Sequence, residues 1–155
     1  MKTVENYRAD MLTILGDAGG RRYSPSTNVG LGVDHSMAHT LSAYYNMPHG
    51  KACATLLPTV MAYNAPVTGE KYRDIADAFG VAGAYEMPLE EAREAAINAV
   101  KKLGEDVGIV MSLKGVVPAE DIDALSADAF KDACTPGNPR PVTVADIKEM
   151  FLSLI

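Results

Sequence analysis

Helical spacing of apolar residues, interrupted by proline and glycine, is the feature that most limits how this chain can fold. Proline or threonine precedes stretches that begin near residues 48, 88, 118 and 143, and apolar residues then recur three or four positions apart. Proline is favoured in the first turn of a helix, and threonine is favoured at the N-cap. No segment shows the convincing alternation of apolar and polar residues that a half-buried strand would need. The sequence therefore predicts an all-α, multi-helix fold.

The predicted helices divide the chain into two parts. Residues 1–28 should form a divergent N-terminal helix, over 3–16, followed by a glycine-rich flexible segment. Residues 29–155 should form one helical domain. Its second helix, which starts at the Pro48 turn, is apolar on nearly every side and should be deeply buried and kinked at Pro58. The other predicted helices run from 29 to 45, 68 to 79, 88 to 103, 118 to 130 and 144 to 155.

Composition excludes several classes of protein. The chain has 155 residues, of which 48% are hydrophobic, and it carries 20 acidic and 14 basic side chains, for a net charge of -6. A nucleic-acid-binding protein usually has a basic patch, so no nucleic acid is expected as a partner. No apolar run approaches the ~18 residues that span a bilayer, and the N-terminus lacks an apolar signal core. We therefore expect a cytoplasmic protein with no membrane partner, whose distant cysteines, Cys53 and Cys134, are reduced thiols.

All three histidines of the chain lie within fifteen residues, at His35, His39 and His49. His35 and His39 are four positions apart, which places both side chains on one face of a helix. His49 follows a proline-containing turn and can point back at that face. Imidazole is a common ligand of Fe and Zn, so the cluster is a candidate metal site. Spacing alone leaves open the alternative that these are packed core histidines, and the residues between His35 and His39 lack the glutamate of the zinc-protease motif.

The residues around these histidines resemble the signature of the iron-containing (group III) alcohol dehydrogenases, the group that contains propanediol oxidoreductases and lactaldehyde reductases. The resemblance covers about residues 29–155. Its motifs are Gly30-Leu31-Gly32-Val33-Asp34-His35-Ser36-Met37-Ala38-His39, Leu41-Ser42-Ala43-Tyr44-Tyr45, Pro48-His49-Gly50, Leu56-Leu57-Pro58, Val60-Met61-Ala62-Tyr63-Asn64, Tyr72-Arg73-Asp74-Ile75-Ala76, Asp132-Ala133-Cys134-Thr135 and Asn138-Pro139-Arg140.

The resemblance implies specific roles. His35 and His49 match two ligands of a divalent metal, Fe²⁺ or Zn²⁺. His39 matches a histidine that is not a ligand but lies near the nicotinamide of NAD(P) and the substrate, where it takes part in proton transfer. In the family the metal acts as a Lewis acid on the alcohol oxygen, so that hydride can leave to the cofactor.

The sequence departs from the family pattern in ways that imply a fragment or truncated form. The family's other two ligands are an aspartate and a histidine in a D-x3-H arrangement on an earlier helix, but no histidine precedes His35. The glycine-rich phosphate-binding segment of the family's nucleotide-binding domain is also missing, and Gly19-Gly20 does not replace it. We therefore expect a weak or incomplete metal site, poor NAD(P) binding and no activity of the chain alone.

A non-enzymatic function is the alternative: a helical oligomerisation or partner-binding domain with a remnant metal site. Under this alternative, loss of the nucleotide-binding domain would expose an apolar surface near residues 35–61, which predicts a homo-oligomer. A third possibility is a separate partner that supplies the nucleotide-binding domain. Among other residues, Asp34 is a minor candidate for binding the metal or orienting His35. Cys53 fits a small packing residue better than a thiolate ligand. Tyr44 and Tyr45 are expected to pack, and residues 138–140 are expected to form a turn that docks the last helix.

Overall fold

The computed structural model describes residues 31–155, and these form helices and connecting turns without any strand. The all-α prediction is therefore confirmed for this part of the chain. The candidate helix over 3–16 and the predicted flexible segment over 16–28 lie outside the described residues. The helices are α1 (Val33–Tyr45), α2 (His49–Asn64), α3 (Lys71–Ala78), α4 (Leu89–Asp106), α5 (Ile122–Lys131) and α6 (Val144–Leu152), with short 3₁₀ helices at Ala65–Val67, Ala119–Asp121 and Thr135–Gly137.

The helix boundaries follow the sequence signals closely. Pro88 stands at the N-cap of α4 in an extended conformation. Thr143 caps α6 through a capping box, in which its hydroxyl accepts a hydrogen bond from the Asp146 amide while the Asp146 carboxylate accepts one from the Thr143 amide. Gly80 has a φ of +79° just after α3 ends, a conformation that glycine adopts without strain.

Several boundaries differ from the prediction by a few residues. The helix expected from residue 29 begins at Val33, the one expected from residue 68 begins at Lys71, and the one expected to end at residue 103 continues to Asp106. The helix expected from Pro118 begins with a single 3₁₀ turn, Ala119–Asp121, and becomes α-helical only at Ile122. The last helix ends at Leu152 instead of Ile155. In the final turn the Leu154 amide donates a hydrogen bond to the Phe151 carbonyl at 3.0 Å, an i→i−3 bond in place of the α-helical i→i−4 bond. The Leu154 carbonyl then accepts hydrogen bonds from the Leu113 amide, at 2.7 Å, and the Ser112 hydroxyl, at 2.9 Å.

Helix α1 lies at the centre of the larger hydrophobic core and packs against α2 and α5, while α5 also packs against α6. A smaller core joins α4 to α3 and to the C-terminal part of α2. Residues Met37 and Leu41 of α1 are fully buried, so α1 is held rigidly between its neighbours. The buried side chains of the larger core are Val33, Met37, Ala38, Leu41, Ala52, Leu56, Val60, Leu113, Val117, Ile122, Leu125, Ala129, Ile147, Met150 and Phe151.

The turn at residues 138–140 docks against the C-terminal end of α2, close to its predicted role. The Arg140 guanidinium donates a hydrogen bond to the Tyr63 carbonyl at 2.8 Å and lies 4.2 Å from the centre of the Tyr63 ring. The side-chain amides of Asn138 and Asn64 exchange two hydrogen bonds, at 2.8 and 3.1 Å. The turn therefore holds the segment that leads into α6 against the end of α2.

The two adjacent tyrosines at the end of α1 do more than pack. The Tyr44 hydroxyl donates a hydrogen bond to Asp128, and the Tyr45 hydroxyl donates one to Asp121, both at 2.7 Å. Burial, together with the hydrogen bond to Asp121, raises the pKa of Tyr45 to about 12, so its hydroxyl stays protonated as a donor. These bonds hold the C-terminal end of α1 beside α5.

Within residues 31–155, no helix has both the length and the apolar character needed to cross a bilayer.

Candidate metal centre

The three histidines converge where α1 turns back into α2. His35 and His39 lie one helical turn apart on α1, with ring centroids 6.4 Å apart. Asn46, with a left-handed φ of 51°, ends α1, and Pro48 then leads the chain into α2, whose first residue is His49. The His49 ring centroid lies 5.2 Å from that of His35 and 5.1 Å from that of His39. The predicted convergence of the three side chains is therefore present.

The first set of potential ligands in this cluster consists of His35, His49 and Cys53. One donor atom from each of these residues lies within 4.8 Å of the other two. Cys53 is one helical turn after His49 on α2, and its Sγ lies 3.5 Å from the His49 Nε2. The thiol is half-buried, and burial, followed by the nearby carboxyl of Asp34, raises the pKa of Cys53 to about 12. Two imidazoles and a thiol thus face one small volume.

The Asp34 carboxyl lies beside this set, although it precedes His35 directly on α1. Its Oδ2 is 3.9 Å from the His35 Nδ1, which is too long for a hydrogen bond. Its Oδ1 is buried and has no hydrogen-bond partner among the residues described. Burial raises the pKa of Asp34 to about 7, outweighing a hydrogen bond between the carboxyl and the Cys53 thiol, which lowers it. For His35, burial lowers the pKa, and the neighbouring His49 and His39 lower it further.

A second set surrounds His39. Its Nδ1 lies 2.9 Å from the Asp132 Oδ2, and donor atoms of His39, Asp132 and Cys134 all lie within 4.8 Å of one another. Asp132 Oδ1 accepts hydrogen bonds from the Cys134 amide, at 2.8 Å, and the Ser36 hydroxyl, at 3.3 Å. Burial alone would raise the pKa of Asp132, but hydrogen bonds from Cys134 and His39, together with the charge interaction with His39, lower it to about 2. Asp132 is therefore ionised near neutral pH.

Asp132 is the residue that sequence reasoning missed as part of the site. It lies just beyond α5, far from the histidines along the chain, and no periodic pattern connects the two regions. The one available signal was the motif Asp132-Ala133-Cys134-Thr135, which carries part of the family resemblance. The structure joins this motif to α1 again through the buried Thr135 hydroxyl, which donates a hydrogen bond to Ser36 at 2.8 Å.

The donors present suit a divalent first-row transition metal. Neutral imidazoles bind Fe²⁺ and Zn²⁺ well, and a thiolate favours softer ions such as Zn²⁺. The unpartnered Asp34 oxygen beside the histidines is a further sign of fit, because a buried carboxylate oxygen is costly unless a donor or a cation offsets its charge. His35 and His49, both predicted as ligands, are well placed to bind the same ion.

The model of the Fe-containing alcohol dehydrogenase family, C-terminal part, matches residues 25–155. The chain belongs to this family. It is 57% identical over 126 residues to lactaldehyde reductase of Escherichia coli K12, covering 81% of this chain and 33% of that protein. It is also 38% identical over 125 residues to 1,3-propanediol dehydrogenase of Citrobacter freundii, covering 80% of this chain and 32% of the relative. The chain thus spans about a third of the length of the curated relatives it matches.

Solved structures agree with this assignment. A crystal structure of a 1,3-propanediol oxidoreductase superposes with a TM-score of 0.77 at 36% identity, over 81% of this chain and 33% of that one. An alcohol dehydrogenase from Oenococcus oeni superposes with a TM-score of 0.76 at 37% identity, over the same shares of the two chains. The helical fold of residues 31–155 is therefore the fold of the corresponding part of iron-containing alcohol dehydrogenases.

Proposed function

We propose that this chain is the metal-holding part of an iron-dependent, NAD(P)-linked alcohol dehydrogenase, in which His35 and His49 bind Fe²⁺ or Zn²⁺. The whole enzyme would transfer hydride between a small alcohol or aldehyde and the nicotinamide. The observation that carries this proposal is the convergence of three histidines from two helices, in a chain of this family. When bound, the metal would supply Lewis-acid polarisation of the alcohol oxygen.

His39 has the properties of a proton acceptor. Asp132 is ionised and can only accept hydrogen bonds, so the His39 Nδ1 that lies 2.9 Å away carries the proton of the neutral ring. The Nε2 atom is then left with its lone pair. The His39 side chain is 43% exposed, so the ring is open to solvent. In the proposed reaction, the alcohol proton passes to Nε2 of His39, and Asp132 stabilises the resulting imidazolium.

Nicotinamide binding would need protein outside the described part of the chain. A glycine-rich loop that holds a pyrophosphate normally follows a strand and opens a helix, and residues 31–155 contain no strand. The relatives are about three times as long as the matched region, at 33% coverage for lactaldehyde reductase. We therefore propose that a polypeptide of these 155 residues binds NAD(P) poorly and does not turn over by itself.

Calorimetric titration of the purified chain with Zn²⁺, and with Fe²⁺ under anaerobic conditions, tests the ligand assignment. Loss of a ligand in His35→Ala or in His49→Ala should weaken metal binding at least about 10-fold. Replacing a residue that only hydrogen-bonds to a metal ligand already lowers metal affinity by about that factor. His39→Ala is the matched control, because it removes an imidazole from the same cluster but not a proposed ligand. Equal losses in all three variants would contradict the separate role of His39.

An enzyme assay tests the functional part of the proposal. With small aldehydes and NADH or NADPH, the chain alone should show no substrate-dependent oxidation of the cofactor. Clear turnover that disappears in His39→Ala would contradict the proposed need for further protein.

We also propose that the chain works as a homo-oligomer or with a partner that carries the nucleotide-binding domain. Tyr44, 47% exposed near the candidate site, is the only exposed large hydrophobic side chain of residues 35–61. The Tyr44 ring alone would form only a small part of an interface. A partner would therefore also have to contact polar groups around the histidines. Light scattering on the purified chain distinguishes the two forms, and a monomer that also fails to co-purify with any partner would count against both.

A further inference from the structure

We propose that Cys53 is a third protein ligand of the metal bound by His35 and His49, and that its thiolate makes this site favour Zn²⁺ over Fe²⁺. The inference rests on the proposed function and extends it, because the family resemblance identified only the two histidines as ligands in this chain. Cys53 packs against the larger core, as the apolar character of α2 indicated, and its sulfur also lies 3.5 Å from the His49 Nε2.

The geometry of the three donors requires little adjustment. His49 and Cys53 are four residues apart on α2, so their side chains leave the same face of the helix. His35 reaches them from α1, and the three donor atoms lie within 4.8 Å of one another. Ligands at about 2.0–2.3 Å from a tetrahedral Zn²⁺ lie roughly 3.3–3.8 Å apart. Side-chain movements of about 1 Å would therefore bring all three atoms into coordination distance.

Charge gives a second reason for a thiolate at this position. Two neutral histidines contribute no negative charge to a divalent cation, and a third, anionic donor binds such an ion more strongly. As the sulfur–metal bond forms, the Cys53 thiol releases its proton to solvent. The buried Asp34 Oδ1 has no hydrogen-bond partner in the described region, and a cation at this site would offset the cost of burying it.

The second cysteine provides an internal control. Cys134 lies in the separate set with His39 and Asp132, and its backbone amide donates a hydrogen bond to the Asp132 carboxylate. Both cysteines are half-buried free thiols, so replacing either one removes a single sulfur of comparable burial. Only Cys53 shares a potential coordination sphere with His35 and His49.

The test is a Co²⁺ titration of the full 155-residue chain under reducing conditions. Cobalt bound to a thiolate shows sulfur-to-metal charge-transfer absorption in the near ultraviolet, which imidazole ligands do not produce. This band should appear in the wild-type protein and in Cys134→Ser, and it should be absent in Cys53→Ala. In the same variant, Zn²⁺ affinity should fall at least about 10-fold, and the preference for Zn²⁺ over Fe²⁺ should fall with it.

The outcomes separate this inference from the proposed function. The inference is overturned if wild-type protein binds Co²⁺ without the sulfur band and Cys53→Ala binds Zn²⁺ equally tightly. Cys53 would then make only a thiol–imidazole hydrogen bond with His49, and the histidine site would stand. If wild-type protein binds no metal at all, both fail together. Circular dichroism of Cys53→Ala and Cys53→Ser shows that each variant is folded, and loss of the band in both folded variants supports the inference.

Discussion

The Nδ1 of His39 lies 2.9 Å from the Oδ2 of Asp132, although 93 positions separate these residues along the chain. This contact joins the histidine cluster on α1 to the segment that follows α5. It fixes the orientation of the imidazole and the nitrogen that carries its proton. The proposed proton transfer therefore depends on a residue that belongs to neither of the two helices that carry the histidines.

Asp132→Asn should destabilise the protein by up to about 2 kcal/mol near neutral pH, since folding lowers the pKa of this carboxyl from 3.8 to about 2. A carboxyl with a lowered pKa stabilises the fold fully above its unfolded pKa, and this contribution is lost as the pH falls through its folded pKa. The difference between wild type and Asp132→Asn should therefore shrink between about pH 4 and pH 2.

Urea denaturation over this range measures the effect. The matched control is Asp77→Asn, which neutralises an exposed carboxyl elsewhere on the surface. If the stability difference for Asp132→Asn stays constant as the pH falls, its contribution is not electrostatic.

Thr143→Ala should lower the free energy of unfolding by about 1 kcal/mol, because it removes the side-chain cap of α6. This helix contributes the fully buried Ile147 and Phe151 to the larger core, so fraying at its start weakens that core. Thr143→Ser retains the capping hydroxyl and is the matched control in thermal or urea denaturation. Equal destabilisation by both substitutions would show that the lost methyl group matters and the cap does not.

Asn138→Ala should cost about 1–3 kcal/mol, because it leaves the side-chain amide of the buried Asn64 without its two hydrogen bonds. The double variant Asn64→Ala/Asn138→Ala should be less destabilised than the sum of the single variants, by about 0.5 kcal/mol or more. Urea denaturation of the four proteins gives this coupling energy directly. Strict additivity would mean that the two amides do not stabilise the fold as a pair.

The sequence predicted the fold well because the signals that determine it are local. Pro88 and Thr143 mark helix starts through backbone geometry and capping, which depend on a few neighbouring residues. The convergence of the histidines was also predictable, because helical periodicity places His35 and His39 on one face and the turn before His49 reverses the chain.

The parts of the site that the sequence did not predict depend on contacts between distant segments. Asp132 meets His39 through the packing of α1 against α5, and no spacing rule reports such a contact. Cys53 packs against the larger core, as predicted, but the closeness of its sulfur to a histidine was not predicted. An apolar helix indicates burial in general, but it does not show that one sulfur will lie 3.5 Å from an imidazole at the end of the same helix.

The most direct test of the central claim, that His35 and His49 hold a metal ion, is elemental analysis of protein purified without chelators. The wild-type chain and a His35→Ala/His49→Ala double variant are prepared in parallel, and circular dichroism confirms that both are helical. The proposal predicts that the wild type retains Fe or Zn well above trace level, even at a weak site, and that the double variant does not. Equal, trace metal content in the two proteins would contradict it, and the three converging histidines would then be a packed cluster without a bound ion.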